Sequence, residues 1–185
     1  MENLQVYLRD ISEVLLQLPH DRIADVIAVL EHARAEGRLI FVFGNGGSAA
    51  MASHFATDLG KGTVQEGQPR FKVISLNDNI PLLTAYANDF GYETVFAEPL
   101  ASLAEPGDVA IAISSSGSSA NVLRAIDVAR ERGLVTIGIT GFGGGKLKDR
   151  VDVCVIVPSS HMQHVEDGQW VILHAIFVAL GEAKA

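Results

Sequence analysis

The chain has 185 residues, 48% of them hydrophobic, with 18 glycines, one cysteine and a formal net charge of −8. This is enough chain for one domain with a full core, and an acidic balance without a Lys/Arg cluster excludes a general nucleic-acid surface while leaving room for a local basic patch. No apolar run approaches the roughly 18 residues of a membrane span, and residues 1–10 lack the basic and apolar regions of a leader, so a cytoplasmic protein without a membrane partner is expected.

Leu4, Tyr7, Leu8, Ile11, Leu15, Leu16 and Leu18 recur at helical spacing and predict a helix over residues 2–18, interrupted by Pro19-His20-Asp21. A second helix is expected from Arg22 to Ala35. Its apolar residues Ile23, Val26, Ile27, Val29 and Leu30 cover more than one face, which suits burial against a sheet within the chain or burial in subunit assembly. Residues 38–43 form an apolar, β-branched and aromatic run, the mark of a strand covered on both faces. It stops at Gly44-Asn45-Gly46-Gly47-Ser48, where glycines allow positive φ and Ser48 is a candidate cap for the following helix. An oxyanion would be well placed at that helix start. The run matches neither G-x-x-x-x-G-K-S/T nor G-x-G-x-x-G, so the usual nucleotide-binding signatures are absent and a plain strand-to-helix turn is the alternative.

The next helix, Ala49 to about Leu59, carries His54 and Asp58 four residues apart and so on one face. Such a pair can share a divalent ion or orient one group for proton transfer, or it can be a simple solvated ion pair. Gly60-Lys61-Gly62 is expected to end this helix. Residues 71–76 read as a second strand, 81–88 and 93–103 as helices, and Asn88-Asp89 between them as a turn. Val109 to Ile113, wholly apolar, is a third and central strand.

That strand runs into Ser114-Ser115-Ser116-Gly117-Ser118-Ser119-Ala120-Asn121, ahead of a helix from Ala120 to Arg132. Hydroxyls and backbone N–H groups gathered at a helix N-terminus make a phosphate cradle, with a flexible linker as the alternative. Strand Thr136–Thr140, a glycine loop over 141–145 with a short helix, and strand Val153–Val157 follow. Cys154 reads as a small core residue. The last helix begins near His161 and continues through the apolar stretch 168–183, with Glu166, Asp167, Gln169 and His174 as polar insertions; from the helix alone His174 reads first as a satisfied core histidine.

Five strands separated by helices predict an α/β fold with a doubly wound parallel sheet. With strand order 2-1-3-4-5, the two turns after strands 1 and 3 would meet in one crevice at the switch point.

These residues resemble the sugar isomerase (SIS) domain family and, within it, the phosphoheptose isomerases. The likeness lies in Gly44-Asn45-Gly46-Gly47-Ser48 followed by His54-Phe55-Ala56, in Asn88-Asp89-Phe90-Gly91, in residues 113–122, and in a C-terminal helix bearing a histidine. It implies a three-layer α/β/α, flavodoxin-like SIS fold as a single domain over 1–185, with the N-terminal helices of 1–36 in the interface of a homotetramer. It implies that Ser114, Ser115, Ser116 and Ser119 hold a sugar phosphate, and that Asn45, Gly46, Gly47, Ser48, Asn88, Asp89 and Glu166 line the sugar site. His54, Asp58, Glu166 and His174 would correspond to the zinc ligands, with Asp58 as catalytic base and His174 as acid.

The activity so implied is aldose–ketose isomerisation of sedoheptulose 7-phosphate to D-glycero-D-manno-heptose 7-phosphate through an enediolate, in the supply of heptose precursors. The alternatives are an isomerase of another phosphosugar, or a non-catalytic SIS protein that binds a sugar phosphate or a protein, of the DnaA initiator-associating type. Two positions depart from the family pattern, which usually has Glu at 58 and Gln at 166. Eight residues on a regular helix span about 12 Å, so Glu166 and His174 reach one ion only if Gly168 breaks the helix or another subunit contributes.

Overall fold

The structure, a computed structural model, describes residues 2–181. Helices α1 (Glu2–Leu16) and α2 (His20–Ala35) precede β1 (Leu39–Gly44), α3 (Gly47–Thr57), β2 (Lys72–Ser75), α4 (Ile80–Phe90) and α5 (Ala97–Leu103). Then come β3 (Val109–Ser114), α6 (Ala120–Glu131), β4 (Val135–Thr140), β5 (Val153–Ile156) and α7 (Met162–Gly181). Met1 and residues 182–185, the ends of the expected domain and of the expected last helix, lie outside the described residues.

The five strands form one parallel sheet in the order β2-β1-β3-β4-β5. Alternate residues of β1 serve opposite layers. Ile40 and Val42 join α2, α3 and α7 on one face, while Phe41 and Phe43 join α5 and α6 on the other. A sheet covered on both faces is why its strands read as unbroken apolar runs. Edge strand β5 leaves Cys154 half-exposed rather than buried, and its surroundings push the thiol up to about 11, chiefly through the burial it does have.

Several local expectations differ from what is seen, and Asn88-Asp89, expected as a turn, lie within the last turn of α4, which runs to Phe90. The segment 93–103 is split into a 3₁₀ turn, Tyr92–Thr94, and α5, because Pro99 has no N–H to donate and is accommodated only in a first helical turn. After β4 the glycine loop holds a 3₁₀ turn, Phe142–Gly144, and no α-helix follows it; Phe142 and the next three glycines all have positive φ, which ends helical propagation. The helix bearing His54 passes at Asp58 into a π-helical turn, Asp58–Gly62, instead of stopping. Lastly, α7 is unbroken through Gly168, whose lack of a side chain serves packing: a Cβ there would lie 2.7 Å from Val157 Cγ1.

The two N-terminal helices behave differently. Helix α2 buries Ile23, Val26, Leu30 and Ala33 against the sheet and α7. Helix α1 rests on α7 but leaves Leu4, Leu8 and Leu16 exposed, the last at 82%.

Candidate active site

Because β1 and β3 are neighbours, Gly44 pairing with Ile113, the turns that follow them emerge side by side. In the first turn Gly46, at φ +56, is the N-cap of α3, so the helix begins before Ser48. Ser48 is buried and donates its N–H to the Asn45 carbonyl at 3.0 Å; it belongs to the turn and does not cap the helix. Asn77 clamps the strand end, accepting from Gly44 N at 3.2 Å and donating to Gly44 O at 2.9 Å.

The two turns are joined by a pair of amides. Val122 N–H donates to Asn121 Oδ1 at 3.0 Å, which fixes that oxygen and so the orientation of the pair. Asn45 Nδ2 then donates to Asn121 Oδ1, and Asn121 Nδ2 to Asn45 Oδ1, both at 2.9 Å. Tyr92 adds its hydroxyl to Asn45 Oδ1 at 3.1 Å, which brings the turn after α4 alongside. Asn88 and Asp89, at the exposed end of α4, bond to each other at 2.8 Å.

The serine loop is buttressed by the glycine loop that follows β4. Gly141 N donates to Ser115 O at 2.9 Å, and Leu147 N to Gly117 O at 2.9 Å. Within the loop Ser114 is buried, Ser116 is exposed, and Ser119 is the N-cap of α6. The Ser119 side chain makes no capping bond, so its hydroxyl stands at the positive end of a twelve-residue helix without that duty. Ser116 Oγ accepts from Ser118 N at 3.3 Å and keeps its proton to donate.

On the layer formed by α3 and α7, His54, Asp58 and His174 come together although His174 is 120 residues from His54 in sequence. His54 Nε2 lies 3.2 Å from Asp58 Oδ2 and 3.2 Å from His174 Nε2, and His174 Nε2 lies 4.0 Å from Asp58 Oδ2. Zinc bonds of about 2.0–2.1 Å in a tetrahedron put ligand atoms about 3.3 Å apart, so two imidazole nitrogens and one carboxylate oxygen in this array suit a divalent ion with a fourth position open. Trp170, one turn before His174, packs its ring 5.1 Å from that of His54 and 5.7 Å from that of His174, forming a wall beside the cluster.

Glu166 is not part of this array within one chain. Its Oε1 lies beside Gly47, 3.6 Å from where a Cβ on that glycine would be, and α7 runs straight for eight residues from there to His174, about 12 Å. The continuous helix thus separates the carboxylate at the glycine turn from the histidine pair farther along.

Comparison with known proteins decides the family. A model of the SIS domain matches residues 6–141. The phosphoheptose isomerase of Geobacter metallireducens is 37% identical over 178 residues, 95% of this chain and 94% of that protein. That of Rhodospirillum rubrum is 41% identical over 143 residues, 77% of this chain and 75% of the other. The chain belongs to the SIS-domain family, in its phosphoheptose isomerase branch. Among solved structures, a phosphoheptose isomerase from Francisella tularensis matches with a TM-score of 0.91 at 25% identity, covering 98% of each chain. One from Neisseria gonorrhoeae matches at 0.89 and 27%, covering 97% of each.

Four residues of the site have no role assigned to them from the sequence. Asn121 closes the serine pattern and stands in the first turn of α6, so its position is a usable signal. Gln169 and Trp170 sit among the apolar residues of α7, and only packing shows that one is wholly buried while the other faces two histidines. For Tyr92 no signal in the sequence points toward Asn45.

Proposed function

We propose that this protein is a phosphoheptose isomerase, interconverting sedoheptulose 7-phosphate and D-glycero-D-manno-heptose 7-phosphate in the supply of heptose precursors. The observation that carries the chemistry is the His54, Asp58 and His174 cluster, three proton-transfer or ion-binding groups gathered where α3 and its π turn lie along α7, with α3 starting at the glycine turn and α7 reaching the serine loop through Gln169.

In this reading the serine loop holds the phosphate through the hydroxyls of Ser116 and Ser119 and through backbone N–H groups of the loop other than those of Gly117 and Ser118, which donate to Ser114 O and Ser116 Oγ. Binding energy from that remote group aligns the reacting carbons. Asn45, Gly46, Gly47, Asn88, Asp89 and Glu166 line the path of the sugar chain, with Ser48 shaping the turn from behind. The Asp58 carboxylate takes the proton from the carbon next to the ketose carbonyl and returns it to the former carbonyl carbon. His174 moves the proton between the two adjacent oxygens, so the electron pair of the broken C–H bond passes through the enediolate double bond into the new C–H bond, the O–H pair of the neighbouring hydroxyl becomes the new carbonyl, and no redox partner is needed.

His54, Asp58 and His174 are the residues that would hold a divalent ion, zinc by its liking for this nitrogen and oxygen set. Such an ion supplies Lewis-acid stabilisation of negative charge on the substrate oxygens. Asp58, where the family usually has Glu, approaches His54 despite its shorter side chain, because it stands one helical turn after His54 at the end of α3, where the π turn begins. Glu166 serves the sugar site at Gly47 in this arrangement.

Assembly as a homotetramer is supported by the exposed leucines of α1, and a single SIS domain over 1–185 by the core that unites all five strands. A cytoplasmic setting agrees with the single cysteine, and among the described residues no helix is long and apolar enough to cross a membrane.

The test is turnover of sedoheptulose 7-phosphate by purified protein with added zinc and after chelation, with proton exchange followed in deuterated water. Metal-dependent turnover with exchange at the carbon next to the carbonyl is the expected result. Absence of both, with thermal stabilisation by the same sugar phosphate, would replace the isomerase by a phosphosugar-binding SIS protein.

A further inference from the structure

Gln169 has no exposed surface, and both ends of its amide are engaged. Its Nε2 donates to the Ile139 carbonyl on β4 at 3.0 Å. A carbonyl only accepts, so the NH₂ end must face Ile139 and the amide oxygen must face the other way, where it meets Ser115 Oγ at 3.1 Å. An amide oxygen also only accepts. The single proton of the Ser115 hydroxyl is therefore donated to Gln169, and none is left for a phosphate, which presents acceptors alone. The Ser115 carbonyl is taken as well, by Gly141 N at 2.9 Å and Thr140 Oγ1 at 3.3 Å.

From this we infer that Gln169 is a positioning residue for the phosphate loop, and that Ser115 is the loop's anchor and not one of its hydroxyl donors. The inference rests on the phosphate-cradle reading above and divides the labour within it. Ser116 and Ser119 offer hydroxyl protons to the phosphate, while Ser115 ties the loop through Gln169 to α7, the helix that also carries Glu166 and His174. One buried amide thus sets the distance between the phosphate end of the substrate and the helix bearing a group that acts on its reacting end. Leaving its buried partners unpaired is costly, which makes the link specific.

The experiment is a double-mutant cycle in the full chain, with KM, kcat and the affinity for inorganic phosphate as readouts. The variants are Ser115→Ala, Gln169→Met, the two combined, and Ser116→Ala alone and with Gln169→Met. Gln169→Met keeps the volume and removes both hydrogen bonds; Gln169→Leu takes its place in the cycle if that protein does not fold. Ser115→Ala and Gln169→Met should raise KM and weaken phosphate binding by the same factor, about three- to tenfold, and the pair together by no more than either. Ser116→Ala should multiply with Gln169→Met. Gln169→His, which still offers one acceptor and one donor at opposite ends of its ring, should restore most of the affinity. A large effect of Ser115→Ala beside an unchanged Gln169→Met, or effects of the two that multiply, would overturn the inference. If Ser116→Ala alters neither KM nor phosphate affinity, the cradle itself is wrong, an outcome distinct from failure of the Gln169 link.

Discussion

The serine loop and the His–Asp cluster are built in opposite ways. The loop is held from beneath by buried groups, with Gln169, Thr140 and the glycine loop all bonded to Ser115 or its neighbours, and it presents Ser116 and Ser119 outward. Among the described residues the cluster has no such scaffold. The side chains of His54 and His174 are 47% and 51% exposed and Asp58 is 19% exposed, with Trp170 as their wall. Under the proposed function the difference has a reason: a loop that grips a phosphate gains from rigidity, whereas groups that take up and release protons, or hold an ion, need open coordination and solvent access.

The comparison breaks most sharply at His174. Because this side chain is half-exposed, His174→Ala should leave the melting temperature almost unchanged while lowering kcat by about 10²–10⁴-fold, and the zinc bound per chain should fall. A variant that fails to fold would instead make His174 a core residue. At the loop, Ser116→Ala combined with Ser119→Ala should act on KM, raising it by about 10–100-fold through lost charge-assisted hydrogen bonds, with a smaller change in kcat. Equal losses in kcat and KM would erase the distinction between a gripping region and a reacting one.

The smallest effect lies outside both regions, where the Tyr7 hydroxyl of α1 donates to Asp167 on α7. That hydrogen bond, with burial and the charges of Asp167 and Glu166, pushes the Tyr7 hydroxyl up to about 12. The neutral form is favoured by folding. Its stabilisation is therefore complete below the ordinary tyrosine range near 10 and is lost as pH rises through about 12. Denaturant melts of the native chain and Tyr7→Phe across this window should converge at the alkaline end. A constant difference between them would show that the bond does not couple to ionisation.

Much of the fold and part of the site are legible in the local patterns of the chain. The strands announce themselves as apolar runs because both faces of the sheet are covered, and the two turns stand out because few local sequences other than glycine and serine clusters leave so many donors at a helix start. His54 and Asp58 are readable as a pair from helical spacing alone. The position of His174 beside them is not a local property, since it depends on α7 lying along α3. The same packing carries Glu166 to Gly47 and away from the histidines, where family resemblance groups all four, and it gives Gln169 a task that a polar residue in an apolar helix does not reveal.

By itself, then, the sequence determined most of the element types, the parallel α/β class and the place of the glycine and serine turns at helix starts, all of which follow from short-range periodicity and backbone conformational preference. Only the tertiary structure decided the strand order, the convergence of the turns, the three-residue cluster and the anchoring of Ser115 by Gln169. These are contacts between residues far apart in the chain, set by which helix covers which strand, and no local pattern encodes the distance between two side chains that meet only after the sheet has formed.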